Sequence, residues 1–294
     1  MMEYHQQYDQ YLARVRQALE RACEQFLPET SEVCRAARYS LMGGGKRVRA
    51  VLVLGVSEML GGSPEAAEAF AAAVEMLHCY SLIHDDLPCM DDDDLRRGRP
   101  SCHKAFGEAT ALLAGDALLT EAFEAVAGAP ASPEVCVQAA RALSAGAGSR
   151  GMVYGQELDL KYEALQPDET MLRLIHKNKT GALINAAVQM GACTAGASAD
   201  QRCALEQFAF GLGLVFQIVD DVLDVTGDAA QLGKPVGSDA QNEKTTFATL
   251  YGVENALELA RRVNRESCDA LEKAFGERSA FLVQMAGELL ARRS

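Results

Sequence analysis

Six carboxylates fall within ten residues, from Asp85 to Asp94, and three arginines follow within residues 96–99. An apolar run over about 67–83 leads directly into these acids. Carboxylates at this density repel one another unless a cation lies among them. Hard oxygen ligands without a thiolate favour Mg²⁺, with Mn²⁺ as the alternative. Arginines suit phosphate oxygens, so the segment predicts a metal-bridged phosphate site; the alternative is a solvated acidic loop.

A second acidic cluster lies within residues 216–224. Asp220 and Asp224 are four residues apart, so they share one face of a helix, and Gln217 shares that face. The surrounding residues are apolar, which predicts a buried helix. Acids on such a helix are unfavourable unless they are paired or bind a metal. Two clusters of this kind suggest one cavity with acids on opposite walls.

The glycines at residues 43–45 precede Lys46 and Arg49, which are three residues apart. A glycine-rich turn exposes backbone N–H groups, and the start of the next helix carries the positive end of its dipole. The segment has no metal ligand, so it predicts a second diphosphate site; an ordinary helix cap is the alternative. His78 lies on the same helical stripe as Asp85, which favours a ligand role over that of a core histidine.

Two further segments combine polar residues with helical spacing. Gln156 and Asp159 are three residues apart, so they could face a cavity, with Asp159 near a metal-bound water; the alternative is a polar surface. In mid-helix, residues 179–181 read Lys-Thr-Gly. The threonine can bond to a backbone carbonyl, and the glycine can allow a kink that frees a carbonyl oxygen towards a cation.

Five segments, in this order along the chain, resemble the motifs of the bacterial polyprenyl synthases, and the farnesyl diphosphate synthases are the most similar group. The resemblance runs from about residue 38 to 250, and five motifs in order are highly specific. The segments are Gly43–Arg49, Asp85–Asp91 with the following Arg96 and Arg97, Gly155–Leu160, Lys179–Gly181 and Asp220–Asp224.

The resemblance implies Mg²⁺-dependent head-to-tail transfer of a prenyl group. Isopentenyl diphosphate would condense with dimethylallyl or geranyl diphosphate to give farnesyl diphosphate and diphosphate. The implied metal ligands are Asp85, Asp91, Asp220 and Asp224, with Asp86, Asp159 and Asp221 around them. The residues implied for isopentenyl diphosphate are Lys46, Arg49, His78 and Arg97. Those implied for the allylic diphosphate are Arg96, Lys179, Lys234 and Lys244, and those expected at the reacting carbons are Lys179, Thr180, Gln217 and Gln156.

The choice of metal ligands contains one conflict. On an ideal helix the partner of Asp85 would be Asp92, seven residues on, whereas the family pattern assigns Asp91. Pro88 should break the helix between them, so the helical spacing need not hold there. Asp91 is therefore expected, and Asp92 remains the alternative.

Product length is expected to depend on Tyr80 and Ser81, five and four residues before Asp85. By resemblance, an aromatic residue at the earlier position, with a first motif two residues longer, marks a bacterial farnesyl synthase. The growing tail would meet the Tyr80 ring after fifteen carbons.

Composition suits long packed helices, and the resemblance implies a single all-α domain over residues 1–294, a helical bundle around a deep central cavity. The chain is 49% hydrophobic, lacks tryptophan and has only 8 prolines. No stretch reads as a secretory signal or a membrane span, and nine scattered cysteines indicate reduced thiols in the cytoplasm. The net charge of −13 argues against nucleic acid as a partner. The family implies a homodimer, and the basic tail at Arg292 and Arg293 is a candidate to fold over the substrate.

Three other functions remain open at this point. A geranylgeranyl or geranyl diphosphate synthase would use the same chemistry. A terpene cyclase also carries an aspartate-rich motif, but it has no need for a second diphosphate pocket such as the one predicted at Lys46, Arg49 and His78. An inactive regulatory subunit would be expected to lose acids from one cluster, and both clusters are intact here.

Overall fold

Helices make up nearly all of the regular structure in the computed structural model, which describes residues 3–163, 165–226 and 245–292. The first elements are α1 (Tyr4–Phe26), α2 (Glu32–Leu41), α3 (Val48–Leu60), α4 (Pro64–Asp85), β1 (Leu95–Arg96), β2 (Arg99–Pro100), α5 (Cys102–Phe106) and α6 (Glu108–Ala127). The remaining ones are α7 (Pro133–Ala147), α8 (Met152–Tyr162), α9 (Glu169–His176), a π-turn (Lys177–Gly181), α10 (Ala182–Cys193), α11 (Ala199–Thr226), α12 (Phe247–Tyr251), α13 (Val253–Phe275), a 3₁₀ turn (Gly276–Ser279) and α14 (Ala280–Ala291).

The chain forms two compact units. The first comprises the residues up to Arg141 together with Met190–Gly196, and the second comprises Ala142–Gln189 and the residues from Ala197 onward. In the first unit α4 packs against α1, α3 and α6, and in the second α11 packs against α12, α13, α14 and the π-turn. The all-α class is confirmed, whereas a single domain around one deep cavity stays a prediction.

Helix α4 begins and ends where its sequence dictates. The Ser63 hydroxyl accepts a hydrogen bond from the Ala66 amide (3.3 Å), and Pro64 occupies the first helical turn. The helix ends at Asp85, three residues before Pro88, whose ring is incompatible with a continuing helix. The helix is long and apolar enough to cross a bilayer, but 72% of its most apolar window is buried inside the protein. That burial is typical of a core helix.

A two-stranded ribbon follows the first acidic cluster. Leu95 pairs with Pro100 and Arg96 with Arg99, and the two residues between the strands have positive φ angles (54° and 72°). Such a turn matches the twist of a tight hairpin. Each strand has only two residues, too few to produce an alternating pattern in the sequence.

The helical run after residue 168 contains the irregularity that its sequence predicts. The Asp168 side chain accepts from the Met171 amide (2.8 Å) and starts α9. The π-turn then interrupts the α-helical pattern at the Lys-Thr-Gly triplet. Gly155 of α8 lies against this turn so closely that a Cβ atom would be 2.0 Å from the Lys179 amide nitrogen. A glycine is therefore required for α8 and the turn to approach.

Substituting Gly155→Ala should destabilise the protein by about 2 kcal/mol or more, because the new methyl group meets main-chain atoms that cannot move aside. Gly287→Ala is the matched control, since Gly287 lies within α14 with open space around it. That change should stabilise the helix by about 0.5–1 kcal/mol. Urea denaturation of both variants measures the two effects, and equal effects would contradict the close approach.

Candidate active site

The first acidic segment turns sharply where α4 ends. The Asp91 amide donates to the Asp85 carbonyl (2.8 Å), which brings these two residues together. The Asp92 amide donates instead to Leu87 (3.2 Å), and Asp92 has a left-handed backbone (φ 50°). The Asp92 carboxylate is 60% exposed and lies 3.9 Å from the Lys104 ammonium. The turn geometry therefore favours Asp91 over Asp92 as the partner of Asp85.

Arg96 is held by the acid that follows Asp85. The Asp86 side chain is buried, and it accepts from Arg96 Nε at 2.9 Å and from the adjacent Nη2. Burial raises the pKa of Asp86, and the guanidinium of Arg96 opposes that rise. Arg96 also contacts Asp93 (3.1 Å). Asp86 thus fixes the direction of Arg96, the residue predicted for the allylic diphosphate.

The ribbon carries Arg97 to the glycine-rich turn before α3. Its guanidinium donates to the Gly44 carbonyl, and a Cβ atom at Gly45 would be only 2.7 Å from Arg97 Cζ. Arg49 Nη1 lies 3.2 Å from His78 Nε2. Three of the four side chains predicted for isopentenyl diphosphate are thus held beside one another in the first unit, and the fourth, Lys46, lies exposed in the same turn.

This basic cluster is strongly desolvated. Burial lowers the pKa of Arg49 to about 10, and Arg97 adds to that effect while Glu75 opposes it. Burial, with Arg49 and Arg97, lowers the pKa of His78 well below its usual value, so the imidazole is neutral at pH 7. Arg49 Nε and His78 Nδ1 are buried without a partner. Neighbouring cations with unused polar atoms are stabilised by an anion.

Glu75 is a functional position that the sequence reasoning missed. It is buried in the middle of α4, where it accepts from Arg47 Nη1 (3.1 Å) and from the Ala50 amide (3.2 Å). Tyr8 adds a hydrogen bond to the Lys46 carbonyl (2.6 Å). These contacts fix the start of α3. The signal was available, because an acid inside an apolar helix must find a cationic or N–H partner.

Tyr80 and Ser81, the two residues expected to set product length, are neighbours near the end of α4 and have different contacts. The Tyr80 ring is buried and meets the His84 ring edge-on, with centroids 5.6 Å apart. His84 Nε2 is 3.0 Å from the Leu112 carbonyl of α6. Ser81 Oγ donates to the His78 carbonyl (2.9 Å). The contact of His84 with α6 therefore stabilises the position of the Tyr80 ring within the first unit.

The acids of the second cluster have different surroundings on α11. Asp220 is partly exposed and pairs with Arg292. Asp224 is buried. Asp221 is also buried, and its carboxylate accepts from the Phe247 amide (2.8 Å), so it caps the start of α12. This capping role was not foreseen for Asp221.

Arg292 is the last described residue of the basic tail, and its guanidinium lies 4.5 Å from the centre of the Phe216 ring. Burial lowers the pKa of Arg292. Three other basic residues with predicted roles, Lys234, Lys244 and Arg293, lie outside the described residues.

The π-turn presents two predicted residues to neighbours in the second unit. Lys179 Nζ lies 2.5 Å from Asp159 Oδ2, and Thr180 Oγ1 donates to Gln217 Oε1. The Thr180–Gln217 pair brings together two of the four side chains expected at the reacting carbons. Gln156, also expected there, has a buried Nε2 without a partner.

A cavity of about 230 Å³ lies within the second unit. Asp159, Lys179, Gln217 and Asp220 line it, together with the start of α12. Carboxylates outnumber cations on these walls, so an anion would enter only with compensating positive charge.

The acids fit a metal ion that a substrate helps to hold. Among residues 3–163, 165–226 and 245–292, no three His, Cys, Asp or Glu side chains are grouped to hold a metal by themselves. Mg²⁺ commonly takes one or two carboxylates and completes its octahedron with waters and phosphate oxygens. Asp85 with Asp91, and Asp220 on α11, supply hard oxygen donors of that kind.

Comparison with known families identifies this combination. The model of the polyprenyl synthetase family matches residues 30–278, most of the chain. The chain belongs to the polyprenyl synthetase family. It is a prenyltransferase.

Named members of the family are similar to this chain over most of their length. The farnesyl diphosphate synthase of Haemophilus influenzae is 43% identical over 93% of this chain and 94% of its own. Large subunit 1 of the heterodimeric geranylgeranyl pyrophosphate synthase of Arabidopsis thaliana is 44% identical over 91% of this chain and 74% of its own. An FPP/GFPP synthase from Zymomonas mobilis has a TM-score of 0.87 at 34% identity, covering 98% of this chain and 100% of its own. The fold and the resemblance read from the motifs are confirmed.

Substituting Glu75→Gln should destabilise this polyprenyl synthetase by about 3–5 kcal/mol, because Arg47 would be left buried without its counter-charge. Glu68→Gln on the same helix is the control. Glu68 pairs with Arg14 and Arg21 near the surface, so its loss should cost under about 1 kcal/mol. Denaturant unfolding followed by circular dichroism compares them, and a small loss for Glu75→Gln would show that Arg47 finds another partner.

Proposed function

We propose that this prenyltransferase condenses isopentenyl diphosphate with dimethylallyl diphosphate and then with geranyl diphosphate, giving farnesyl diphosphate and diphosphate. One observation carries the proposal: the cluster of Arg49, His78 and Arg97 is a desolvated cationic pocket without metal ligands of its own. A second diphosphate pocket is required only if the enzyme joins two diphosphates.

In this proposal the cationic pocket binds isopentenyl diphosphate. Arg49 and Arg97 donate to the phosphate oxygens, and Lys46 reaches them from the exposed turn. Neutral His78 adds one N–H without adding repulsion to the arginines. The pocket only binds this substrate. The C–O bond that breaks is that of the allylic substrate, so isopentenyl diphosphate keeps its own diphosphate.

The allylic diphosphate is proposed to bind at the acidic clusters. Mg²⁺, held by the four acids Asp85, Asp91, Asp220 and Asp224, would supply the positive charge that makes diphosphate a good leaving group. The basic side chains proposed to assist are Arg96, Lys179, Lys234 and Lys244. Whether the acids occupy opposite walls of one cavity stays a prediction.

The remaining steps use residues of the second unit. As the allylic C–O bond breaks, the oxygens of Thr180 and Gln217 and the side chain of Gln156 face the developing cation and stabilise it. The double bond of isopentenyl diphosphate forms the new C–C bond, and a proton then leaves to the released diphosphate. Apolar walls exclude water that would trap the cation.

Farnesyl diphosphate is the proposed product because the Tyr80 ring, five residues before Asp85, is buried and braced by His84. A geranylgeranyl product is the second candidate. It is favoured by relatives named geranylgeranyl pyrophosphate synthases, which are 41–44% identical to this chain.

The enzyme is also proposed to act as a homodimer in the cytoplasm. All nine cysteines are free thiols, as a reducing compartment requires. Helix α6 exposes Leu112 and Leu113 by 47% and 52%, an apolar surface that a second copy could cover. Light scattering after gel filtration measures the assembly.

The purified chain should consume isopentenyl diphosphate with dimethylallyl or geranyl diphosphate and release diphosphate, with a C15 product by chromatography. A chelator should abolish turnover, and added Mg²⁺ should restore it, because the acidic clusters repel diphosphate without the cation. Activity without isopentenyl diphosphate would indicate a cyclase, and no turnover would indicate a regulatory subunit. Full turnover in the presence of the chelator would contradict the proposal that these acids bind a metal ion needed for the reaction.

Substituting Tyr80→Ala should lengthen the product to C20 or beyond, because the ring that would stop the tail is removed. Tyr80→Phe keeps the ring and should leave the product at C15. Product chain lengths are compared by mass spectrometry at equal turnover. If Tyr80→Ala still stops at C15, another residue sets the length.

A further inference from the structure

His176 is a buried polar residue that the proposed mechanism leaves unused. It ends α9 immediately before the π-turn, and its ring packs against Phe247, with centroids 5.6 Å apart. Its Nε2 atom is buried and has no hydrogen-bond partner. The residue lines the 230 Å³ cavity of the second unit together with Asp159 and Lys179.

Packing alone does not account for a histidine at this position. An aromatic or aliphatic side chain would fill the space against Phe247 without burying an unsatisfied nitrogen, which is destabilising. His176 lines a cavity and carries a buried nitrogen without a partner, and these two observations together indicate that a ligand in the cavity could supply that partner.

The protonation state decides what His176 can offer to that partner. Burial lowers the pKa of His176 to about 4; Asp159 opposes this shift, and Lys179 adds to it. The ring is therefore neutral at pH 7, with one N–H donor and one acceptor nitrogen. A neutral donor can contact an anion without the desolvation cost of a buried imidazolium.

The walls of the cavity indicate which partner needs a donor. Asp159, Asp220, Asp221 and Glu163 supply carboxylates, and Lys179 is the only cationic side chain among the described residues that line it. Lys179 is already shared with Asp159. A phosphate oxygen in this cavity would therefore meet one cationic donor that is already shared, the polar groups of Tyr162, Gln217, Thr245 and Thr246, and the N–H of His176.

We propose that His176 donates a hydrogen bond from Nε2 to a diphosphate oxygen in this cavity, so that it binds and positions the allylic diphosphate and the diphosphate released from it. The inference rests on the proposed function and adds one residue to its allylic site. It needs no proton transfer, because the ring stays neutral throughout.

The test uses inorganic pyrophosphate with Mg²⁺ as the probe, titrated calorimetrically into the full chain. His176→Phe keeps the packing against Phe247 and removes the donor, so pyrophosphate affinity should fall about tenfold or more. His176→Gln places an amide N–H near the position of Nε2 and should recover most of the affinity. The KM for isopentenyl diphosphate should change less than about threefold in both variants, since that substrate has its own pocket.

Tyr251→Leu is the matched control. Tyr251 stacks on Phe247 (centroids 6.3 Å apart) but does not line the cavity. Its substitution disturbs the same packing and should leave pyrophosphate affinity unchanged. An equal loss in Tyr251→Leu, or no recovery in His176→Gln, would assign the effect to packing and overturn the proposal.

Wild-type protein gives an independent readout if His176→Phe fails to fold. With ¹⁵N-labelled histidine, the Nε2 resonance of His176 should shift on addition of Mg²⁺ and pyrophosphate, while its neutral pattern persists from pH 6 to 8. The His176→Gln spectrum assigns the resonance. An unshifted signal at saturating pyrophosphate would refute the contact.

The His176 contact and the proposed prenyl transfer can be refuted separately. If wild type binds Mg²⁺-pyrophosphate through His176 but does not consume isopentenyl diphosphate, the proposed function fails and the contact stands. If wild type forms the prenyl product while His176→Phe binds pyrophosphate normally, only the contact fails.

Discussion

The cost of removing charge from water is the constraint on which the rest of this structure depends. In the first unit the cost is offset by pairing: buried Glu75 holds Arg47, and buried Asp86 holds Arg96. These pairs fix the backbone at both ends of the basic cluster. Glu75 offsets the desolvation of Arg49 only in part. A bound anion would offset the remaining cost of burying this charge.

The second unit places its polar groups by an irregular backbone. A regular helix through residues 177–181 would direct its side chains at 100° intervals, and the π-turn changes that direction locally. Gly155 permits the close approach of α8, which brings Asp159 to Lys179. The Lys-Thr-Gly triplet and the glycine of the neighbouring helix therefore act together to place Lys179 beside Asp159. A π-turn inside a helical run is frequent at functional sites.

The relatives carry different product names although each is 43–44% identical to this chain over more than 90% of it. This follows from the division of labour in the site. The charged groups handle the diphosphates, which are common to every product, whereas length depends on apolar packing below the acids. Tyr80 and its brace His84 belong to that packing. Substitutions in that packing alter the volume available to the prenyl tail without altering the charge of the site, so they leave the family motifs intact.

The sequence by itself determined the helical class, the bounds of α4 between Ser63 and Pro88, an irregularity at the Lys-Thr-Gly triplet and the motif positions, because these depend on neighbours within a few residues. Only the tertiary structure decided that Glu75 holds Arg47, that Lys179 pairs with Asp159, and that Asp221 caps α12. Each of those contacts joins residues 20 or more apart in the chain, and spacing within a helix carries no information about such partners.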